Sequence, residues 1–268
     1  MSAPSSPRTR GLALTAALTL FAAFPAARAR AESPEALVAR ATQLNGLGFD
    51  NGQARVRMVL QDAAGARKER VIMARSMKEA GLTRTVIRFL SPAEVQGSAF
   101  LLLERAGAEA DDMHLYLPAL KRTRRIAGNQ KDGAFMGSDF SYADMENRDI
   151  KAATYEAKPD TSIDGVECHV VVARPTPGDG AQPYGRIEMA IRKDNALIQQ
   201  SKFFDKDDAL VKVYKLNEFK TIDGRLLTTK SQMWTKKEGH TTFLFIDEVD
   251  TKTPVNPGEF TPDALSKG

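Results

Sequence analysis

Residues that could catalyse a reaction or bind a metal are few and scattered in this sequence. The three histidines, His114, His169 and His240, are far apart, and Cys168 is the single cysteine. A zinc or redox centre needs several such ligands at short, regular spacing, and these residues do not provide it. No Gly-x-Ser-x-Gly elbow is present, and we interpret Ser138 as a cap or turn residue rather than a nucleophile. The sequence therefore predicts no catalytic residue, no metal site and no cofactor.

Two pairs of acids are the remaining candidates for acid–base chemistry. Asp111-Asp112 and Asp207-Asp208 both occur in polar stretches that are typical of turns. We interpret them as solvated loop charges. A carboxylate dyad inside a cleft is the alternative, and it would indicate a hydrolase acting on a polymer of the cell envelope.

A run of cations is the most unusual feature of the chain. Four cations fall within the five residues from Lys121 to Arg125. On a strand, Arg122 and Arg124 share one face and Arg125 lies on the other. Such a run is often only a solvated face. The functional alternative is a cationic rim at the mouth of a cavity, suited to an anionic lipid head group or an acidic protein partner.

Apolar side chains lie on both sides of this run. Leu115 and Leu117 share one face of a predicted strand, and an apolar cluster follows the polar loop 128–133. Phe and Met beside a flexible loop would suit a lid over a hydrophobic ligand, and a plug in the core is the alternative. The candidate ligand-binding residues are Phe135, Met136, Phe140, Leu115, Leu117, Arg122, Arg124 and Arg125.

One helix and then many short strands must position these residues. Ser33 as N-cap and Pro34 at the first helical position predict a helix that ends before Gly46 and Gly48. After Gly52 apolar residues recur at every second position, which predicts β-strands, and residues typical of turns separate one such stretch from the next. Val56, Met58 and Leu60 alternate on the first strand, and further strands are predicted at 67–77, 83–90, 97–105, 112–117, 120–126, 150–157, 166–174, 185–193, 196–205, 209–220, 225–236 and 240–249. The alternation of apolar and polar positions also places Cys168 on the same strand face as several valines. This predicts that Cys168 is a small core residue.

The predicted fold class is mostly β. About 11–12 short antiparallel strands at regular spacing indicate a large sheet that is rolled or closed. Several strands are apolar on both faces, so both faces must be covered. From Ser138 to Arg148 the pattern becomes helical, with Ser141 and Asp144 as a capping pair. A half-barrel with helices laid across it would leave a pocket for an acyl chain.

Residues 1–31 have the pattern of a cleaved signal peptide. Arg8 and Arg10 precede an apolar run that is too short for a bilayer, which needs about 20 residues, and Ala-x-Ala spacing follows up to Ala31. Of 38 basic and 34 acidic residues, four arginines and no acid fall in this segment, so residues 32–268 carry 34 of each. A neutral mature chain does not indicate a nucleic-acid partner. The sequence predicts a soluble periplasmic protein without a lipid anchor.

Four segments carry a resemblance to a known family. Val86–Pro92, Gly97–Leu101, Leu115–Arg122 and Phe135–Met145 resemble the outer-membrane lipoprotein-sorting protein family, a LolA-like group. The resemblance implies a single domain over residues 32–268. It also implies an incomplete antiparallel β-barrel, with an N-terminal helix and a short lid or plug helix around a hydrophobic cavity.

The resemblance also implies a function. Members of this kind are non-enzymatic periplasmic carriers of a lipid or lipoprotein acyl group between the inner and outer membranes. A transporter of the resistance-nodulation-division type is the implied partner, and the protein is expected to be a monomer. Fold alone does not determine the cargo. A periplasmic lipid-sensing module of a signalling system, or an envelope hydrolase, are the alternatives.

Overall fold

The computed structural model describes Met1 and residues 32–44, 50–105, 111–146, 153–176 and 183–267 of the 268-residue chain. The chain divides between Ala31 and Glu32 into two compact units, and the elements below belong to the second. Beyond Met1, the predicted signal peptide lies outside the described residues, as do Gly46 and Gly48. Within the described ranges, every helix is too short or too polar to cross a lipid bilayer.

Strands dominate the described residues. The helix α1 spans Pro34–Gln43. The strands are β1 (Gly52–Gln61), β2 (Arg67–Glu79), β3 (Leu82–Ser91), β4 (Ala99–Leu103), β5 (Asp112–Leu117), β6 (Arg122–Ile126), β7 (Ala153–Ile163), β8 (Val166–Pro175), β9 (Arg186–Arg192), β10 (Ile198–Phe204), β11 (Leu210–Ile222), β12 (Arg225–Thr235) and β13 (His240–Asp250). Short 3-10 turns span Pro118–Leu120, Gly128–Asp132, Phe135–Gly137, Tyr142–Met145, Pro257–Glu259 and Pro262–Ser266.

The strands form one antiparallel sheet of 13 strands in the order β6-β5-β4-β3-β2-β1-β13-β12-β11-β10-β9-β8-β7. β1 pairs with β13, and every other pair joins strands that are consecutive in the chain. The described strands do not close into a barrel, so β6 and β7 are the two edges of the sheet. The predicted incomplete antiparallel barrel with one helix is thereby confirmed, with 13 strands rather than about 11–12.

Two predicted boundaries need correction. β6 begins at Arg122 and not at residue 120, because Lys121 has a left-handed backbone (φ 48°) at the end of the 3-10 turn Pro118–Leu120. The helical stretch predicted from Ser138 is limited to the turn Tyr142–Met145. Ser141 caps that turn, and residues 138–140 before it are bends rather than helix. Residues 147–152 lie outside the described residues.

The helix α1 starts as the sequence predicts. Ser33 Oγ accepts a hydrogen bond from the Ala36 backbone N–H at 3.2 Å, which satisfies one of the free donors of the first turn. The apolar stripe of the helix is Leu37, Val38 and Ala41, and all three are buried in the main core. The helix lies beside β7, on the side of the sheet that bears the main core.

The two faces of the sheet are covered by different segments. We call inner the face that bears Met58, Ile72 and Phe100, and outer the opposite face. The main core lies on the inner face. On the outer face, Phe260 and Leu265 of the C-terminal tail pack against a second apolar cluster, which consists of Met77, Val86, Ala99 and Leu101. Both faces of β2–β5 are therefore covered, as strands that are apolar on both sides require.

Cys168 lies on the outer face of β8, in line with Val170 and Val172. Its exposed fraction is 0%. Burial raises the pKa of its thiol, which keeps the sulfur protonated and unreactive at neutral pH. The interpretation of Cys168 as a small core residue agrees with this position.

Candidate functional site

The inner face of the sheet borders a partly open cavity of about 400 Å³. Strands β1–β4 form one wall, strands β9–β13 form the other, and residues 135–146 lie between them. The apolar lining residues are Val56, Met58, Ile72, Ala74, Ile87, Phe100, Leu102, Phe135, Phe140, Met145, Ile187, Met189, Ile198, Phe203, Met233, Leu244 and Ile246. The polar lining residues are Thr42, Thr85, Asp144, Glu146, Tyr214, Thr228 and Ser231. The wall is therefore mainly aliphatic and aromatic, as in sites that bind apolar ligands.

Residues 128–146, which we call the plug, cross the inner face of the sheet. Phe135 is their central anchor and is only 1% exposed. Its ring lies 6.0 Å from Phe89, 5.2 Å from Phe100 and 5.6 Å from Tyr142 between centroids. Phe135 thus fills a core position, and Met136 beside it is half-buried with a left-handed backbone (φ 51°).

Hydrogen bonds tie the middle of the plug to both walls. Arg70 of β2 donates to the backbone carbonyl of Met136. On the other wall, Thr242 of β13 accepts from the Asp139 backbone N–H at 2.9 Å and donates to the Asp139 carboxylate at 2.6 Å. Burial lowers the pKa of Arg70. The plug is therefore tied to β2 and β13, the two strands that flank β1 in the sheet.

A second set of contacts holds the end of the plug. Asp144 accepts from the Tyr184 hydroxyl at 2.9 Å and from Lys212 Nζ at 3.2 Å. The same carboxylate accepts from the Ser141 backbone N–H at 2.8 Å, which confirms the predicted capping pair. Its side chain is only 4% exposed. Hydrogen bonds and one cation thus satisfy a carboxylate that would otherwise be costly to bury.

Glu146, the other acid on the cavity wall, is also paired. It contacts Lys131 of the same plug, and both side chains are largely buried. Lys131 also donates to the backbone carbonyl of Asp111 at 3.4 Å. Each acid that lines the cavity therefore has a lysine partner.

A polar cluster interrupts the apolar wall on β11 and β12. Tyr214, Thr228 and Ser231 all line the cavity with their hydroxyl-bearing side chains. Burial raises the pKa of Tyr214, so its hydroxyl is a neutral donor at physiological pH. Strict alternation would place Thr228 and Ser231 on opposite faces of β12. Register shifts between β11 and β12 lie between these two positions and bring both side chains to the cavity.

The structure separates the predicted site residues into two groups. Phe135 and Phe140 line the cavity. Leu115 is buried in the core on the inner face, and Leu117 and Met136 pack against that core. The described cavity wall does not include these three residues or the predicted arginines.

The predicted arginines lie on the edge strand β6. Register places Arg122 opposite Leu117 and Arg124 opposite Leu115 on the inner side, and Arg125 opposite His114 on the outer side. All three arginines are exposed. Arg124 lies near Tyr142 of the plug, and its charge opposes the rise that burial causes in the pKa of the Tyr142 hydroxyl.

The interpretation of Asp111-Asp112 as solvated loop charges is wrong. Asp111 is buried, and its carboxylate accepts from the Arg105 backbone N–H at 2.9 Å. Asp112 is the first residue of β5, and contacts with Arg105 and Arg125 lower the pKa of its carboxyl. These acids therefore join the cationic edge to the sheet. The part of the chain that the structure describes holds no group of three or more His, Cys, Asp or Glu suited to a metal ion.

Comparisons with known proteins relate this fold to others. A protein-family model with the description "Uncharacterized protein" matches residues 81–267. No curated protein sequence matches the chain. A domain from Vibrio parahaemolyticus, described as an outer membrane lipoprotein-sorting protein, is 25% identical in sequence with a TM-score of 0.78. The match covers 87% of this chain and 98% of that chain.

Two further solved structures share the fold. A DUF1329 family protein from Desulfovibrio piger is 27% identical with a TM-score of 0.80, over 87% of this chain and 97% of that chain. A LolA superfamily protein from Nitrosomonas europaea is 16% identical, and its TM-score of 0.66 over 86% of this chain and 98% of that chain shows the fold alone. The matches and the open antiparallel half-barrel agree with the motifs at 86–101, 115–122 and 135–145. The chain belongs to the family whose model matches residues 81–267, and its fold is similar to that of LolA-like outer-membrane lipoprotein-sorting proteins.

Proposed function

We propose that the protein is a non-enzymatic periplasmic carrier that binds a lipid or a lipoprotein acyl group in the inner cavity and moves it between the inner and outer membranes. The observation that carries the proposal is the cavity of about 400 Å³ with its mainly apolar wall. Soluble proteins normally fill such a space with side chains, because packed interiors have few voids larger than a water molecule. An apolar ligand is the natural occupant of this one.

The mechanism is partition between water and the cavity. Each methylene group that leaves water contributes about 0.8 kcal/mol. Release requires the cavity wall to open, and the plug is the part of the wall that side-chain contacts hold, through Asp139, Asp144 and Phe135. A partner that competes for the plug or for the ligand would shift the protein towards the open state.

The location follows from the N-terminal segment. We propose that residues 1–31 are removed as a signal peptide and that residues 32–268 act as one domain, without a lipid anchor, in the periplasm. Mass spectrometry of the protein from a periplasmic extract tests this. A mature chain that begins near residue 32 is expected, and retention of Met1 in the periplasmic form would contradict it.

The exposed arginines of β6 give the carrier a surface for its donor. We propose that Arg122 and Arg124, together with Arg125, contact the anionic head groups of the membrane from which the ligand is taken. Their exposure and their place on an edge strand support this role. A transporter of the resistance-nodulation-division type is the proposed partner at that membrane, the carrier acts as a monomer, and nucleic acid is not a ligand.

The test uses two tryptophan variants on neighbouring residues of β13. Leu244 lines the cavity, and Phe243 lies on the other face of the same strand. Leu244→Trp therefore fills the cavity, whereas Phe243→Trp adds a similar side chain outside it. Each protein is purified from periplasm and examined by native mass spectrometry and lipid extraction.

We expect an amphiphile to co-purify with the unmodified protein and with Phe243→Trp, and to be reduced with Leu244→Trp. Far-ultraviolet circular dichroism checks that both variants fold. Absence of any co-purified amphiphile, together with no uptake of a fluorescent fatty acid, would contradict the carrier function. Equal loss in both variants would show that the ligand does not occupy this cavity.

A further inference from the structure

One turn at the edge of the sheet exposes an apolar side chain. The 3-10 turn Pro118–Leu120 joins β5 to the edge strand β6. Leu120 is 60% exposed, and among the described residues beyond Met1 it is the only large apolar side chain of this kind. One exposed leucine is ordinary on a protein surface and indicates nothing by itself. The residues beside it in the chain make this one unusual.

Cations flank this leucine on the same hairpin. Lys121 follows it directly, Arg122 and Arg124 lie on the adjoining strand, and all three side chains are exposed. Among the described residues, none of the three has an acid within salt-bridge distance, whereas Arg125 pairs with Asp112. The chain beyond the predicted signal peptide carries equal numbers of basic and acidic residues, so this positive charge is local. The hairpin therefore presents one apolar side chain beside three cations that lack acidic partners.

The tip of the hairpin is held in place by contacts with the rest of the sheet. The Lys121 backbone N–H donates to the Pro118 carbonyl at 3.0 Å and closes the turn. The Pro118 ring packs against Gly97, where a Cβ atom would come within 3.2 Å of the proline Cγ. Behind the tip, Thr123 Oγ1 donates to the carbonyl of Pro262 in the C-terminal tail at 3.5 Å. The sheet therefore presents the apolar tip and its cations in a defined arrangement.

This combination fits the surface of an anionic lipid bilayer. An apolar side chain can enter the boundary between head groups and acyl chains while cations beside it contact the lipid phosphates. A stable protein interface needs about 1,000 Å² or more with complementary shape, and a short exposed turn offers much less. A fluid lipid surface needs no complementary shape, so it is the partner that fits this turn best.

We propose that the tip of the β5–β6 hairpin touches an anionic membrane, with Leu120 inserted in the interface and with Lys121, Arg122 and Arg124 on lipid phosphates. The inference rests on the proposed function, in which the arginines of β6 face the donor membrane. It adds the inserting residue and an orientation, in which the sheet meets the bilayer at the end where β5 and β6 join. A single leucine is much less than the acyl chains or helices that anchor proteins stably. The contact is therefore short-lived, as a shuttle requires.

The test is binding of the mature protein to vesicles of phosphatidylcholine, alone or mixed with phosphatidylglycerol in equal parts. Co-sedimentation at low salt measures the partition coefficient. We expect binding to the mixed vesicles only, and its loss at about 0.5 M salt, where the screening length falls to roughly 4 Å. Equal binding to both kinds of vesicle would contradict a contact with anionic lipid.

Substitutions in the turn test the insertion. Leu120→Ser removes the apolar side chain and should weaken binding to the mixed vesicles about tenfold. Ala119→Ser changes the neighbouring exposed residue and should leave binding unchanged. In Leu120→Trp, the added fluorescence should shift to shorter wavelength on mixed vesicles, as the indole enters the interface. The unmodified protein, with Trp234 alone, gives the baseline. Unchanged binding of Leu120→Ser, or no spectral shift in Leu120→Trp, would overturn the insertion of Leu120.

A matched pair of charge variants tests the place of the contact. Lys121→Gln with Arg122→Gln removes two cations of the hairpin and should weaken binding about 25-fold, at about fivefold for each charge near an anionic surface. Lys236→Gln with Lys237→Gln removes two exposed cations from the turn between β12 and β13, which β1–β5 separate from β6. This control should weaken binding by less than about twofold. Equal loss in both would show that overall charge, and not the hairpin, decides binding.

Uptake of a fluorescent fatty acid by the unmodified protein, measured in parallel, separates this inference from the function on which it rests. Uptake without binding to mixed vesicles would overturn the membrane contact and leave the carrier function standing. Binding to mixed vesicles without uptake would overturn the carrier function and leave the membrane contact. No vesicle binding, together with a crosslink from the hairpin to a membrane protein in cells, would assign the tip to a protein partner and overturn the inference.

Discussion

Two regions of the inner face are both formed by strands with apolar side chains. Side chains of the plug pack on one region, and the other region borders the cavity. Beneath the plug, Phe89 and Phe100 are each 1% exposed, because Phe135 packs directly on them. Across the sheet, Tyr214 and Leu244 line the cavity and keep part of their surface accessible. The plug decides the difference, since its aromatic side chains fill the first region, whereas in the second region the plug borders the cavity without filling it. The first region stabilises the fold, and the second is left for a ligand.

The largest expected effect comes from emptying the filled region. Phe135→Ala removes a buried ring from an aromatic cluster and should lower the free energy of unfolding by about 3–5 kcal/mol. Leu244→Ala removes a side chain that already borders a void, so its effect should stay below about 2 kcal/mol. Urea denaturation monitored by circular dichroism measures both. Equal losses would show that the two regions are packed alike.

The next prediction concerns the contact between the plug and the cavity wall. Lys212→Met leaves the buried Asp144 carboxylate without its cation and should destabilise the docked plug by about 1–3 kcal/mol. Lys215→Met is the matched control on the same strand, because Lys215 pairs with the exposed Asp164. A surface pair of this kind contributes about 0–1 kcal/mol.

Amide hydrogen exchange tests the position of this effect. Lys212→Met should speed exchange in residues 139–146, while β3 and β4 should keep their protection. Lys215→Met should leave both segments unchanged. Faster exchange throughout the sheet in Lys212→Met would mean that the plug and the sheet open as one unit.

A pH titration can report on the outer face of the strands that bear the filled region. His114 lies on β5, and burial lowers its pKa below the usual 6.5, opposed by the Asp112 charge and assisted by Arg125 and Arg105. A base with a lowered pKa in the folded state loses stability as pH falls below 6.5, since the unfolded chain takes up the proton first. His114→Gln should remove this loss between about pH 7 and 5. Unfolding curves at several pH values measure it.

An acid at the end of β13, outside the lining of the cavity, should have the smallest effect. Hydrogen bonds from the side chain and backbone of Thr253 and the backbone of Lys252 lower the pKa of Asp250 from 3.8 to about 2. An acid of this kind adds stability above pH 3.8, and that stability is lost as pH falls towards 2. Asp250→Asn should flatten the stability profile in that range only. A change near pH 6 would contradict the assignment.

Much of the sheet could be predicted from the sequence because its signals are local. Each strand alternates over several residues, and turn residues such as those at 164–165 and 194–195 mark the ends. The helix start at Ser33 and the capping pair Ser141–Asp144 also depend only on residues three positions apart. The motifs shared with a known family predicted that the sheet forms an open half-barrel, which local sequence patterns do not determine.

The cavity wall could be predicted less well because it depends on contacts between distant strands. Thr228 and Ser231 both line the cavity only through register shifts, which break the period of two. Thr242 occupies a core position where alternation predicts an apolar residue. Its role is to hydrogen-bond Asp139, which is distant in the sequence. The acids at 111–112 misled the sequence analysis for the same reason, since Arg105 and Arg125 reach them in space.

The two free edges of the sheet have a mechanical consequence. Among the described strands, β6 and β7 have no backbone ladder to each other. The distance between the edges can therefore change through the twist of the sheet without any ladder hydrogen bond being broken. Among the described residues, the contacts of Arg70, Thr242 and Lys212 with the plug resist this change. Such a sheet yields elastically to an incoming ligand, whereas a closed barrel of the same strands would have to break backbone bonds to widen.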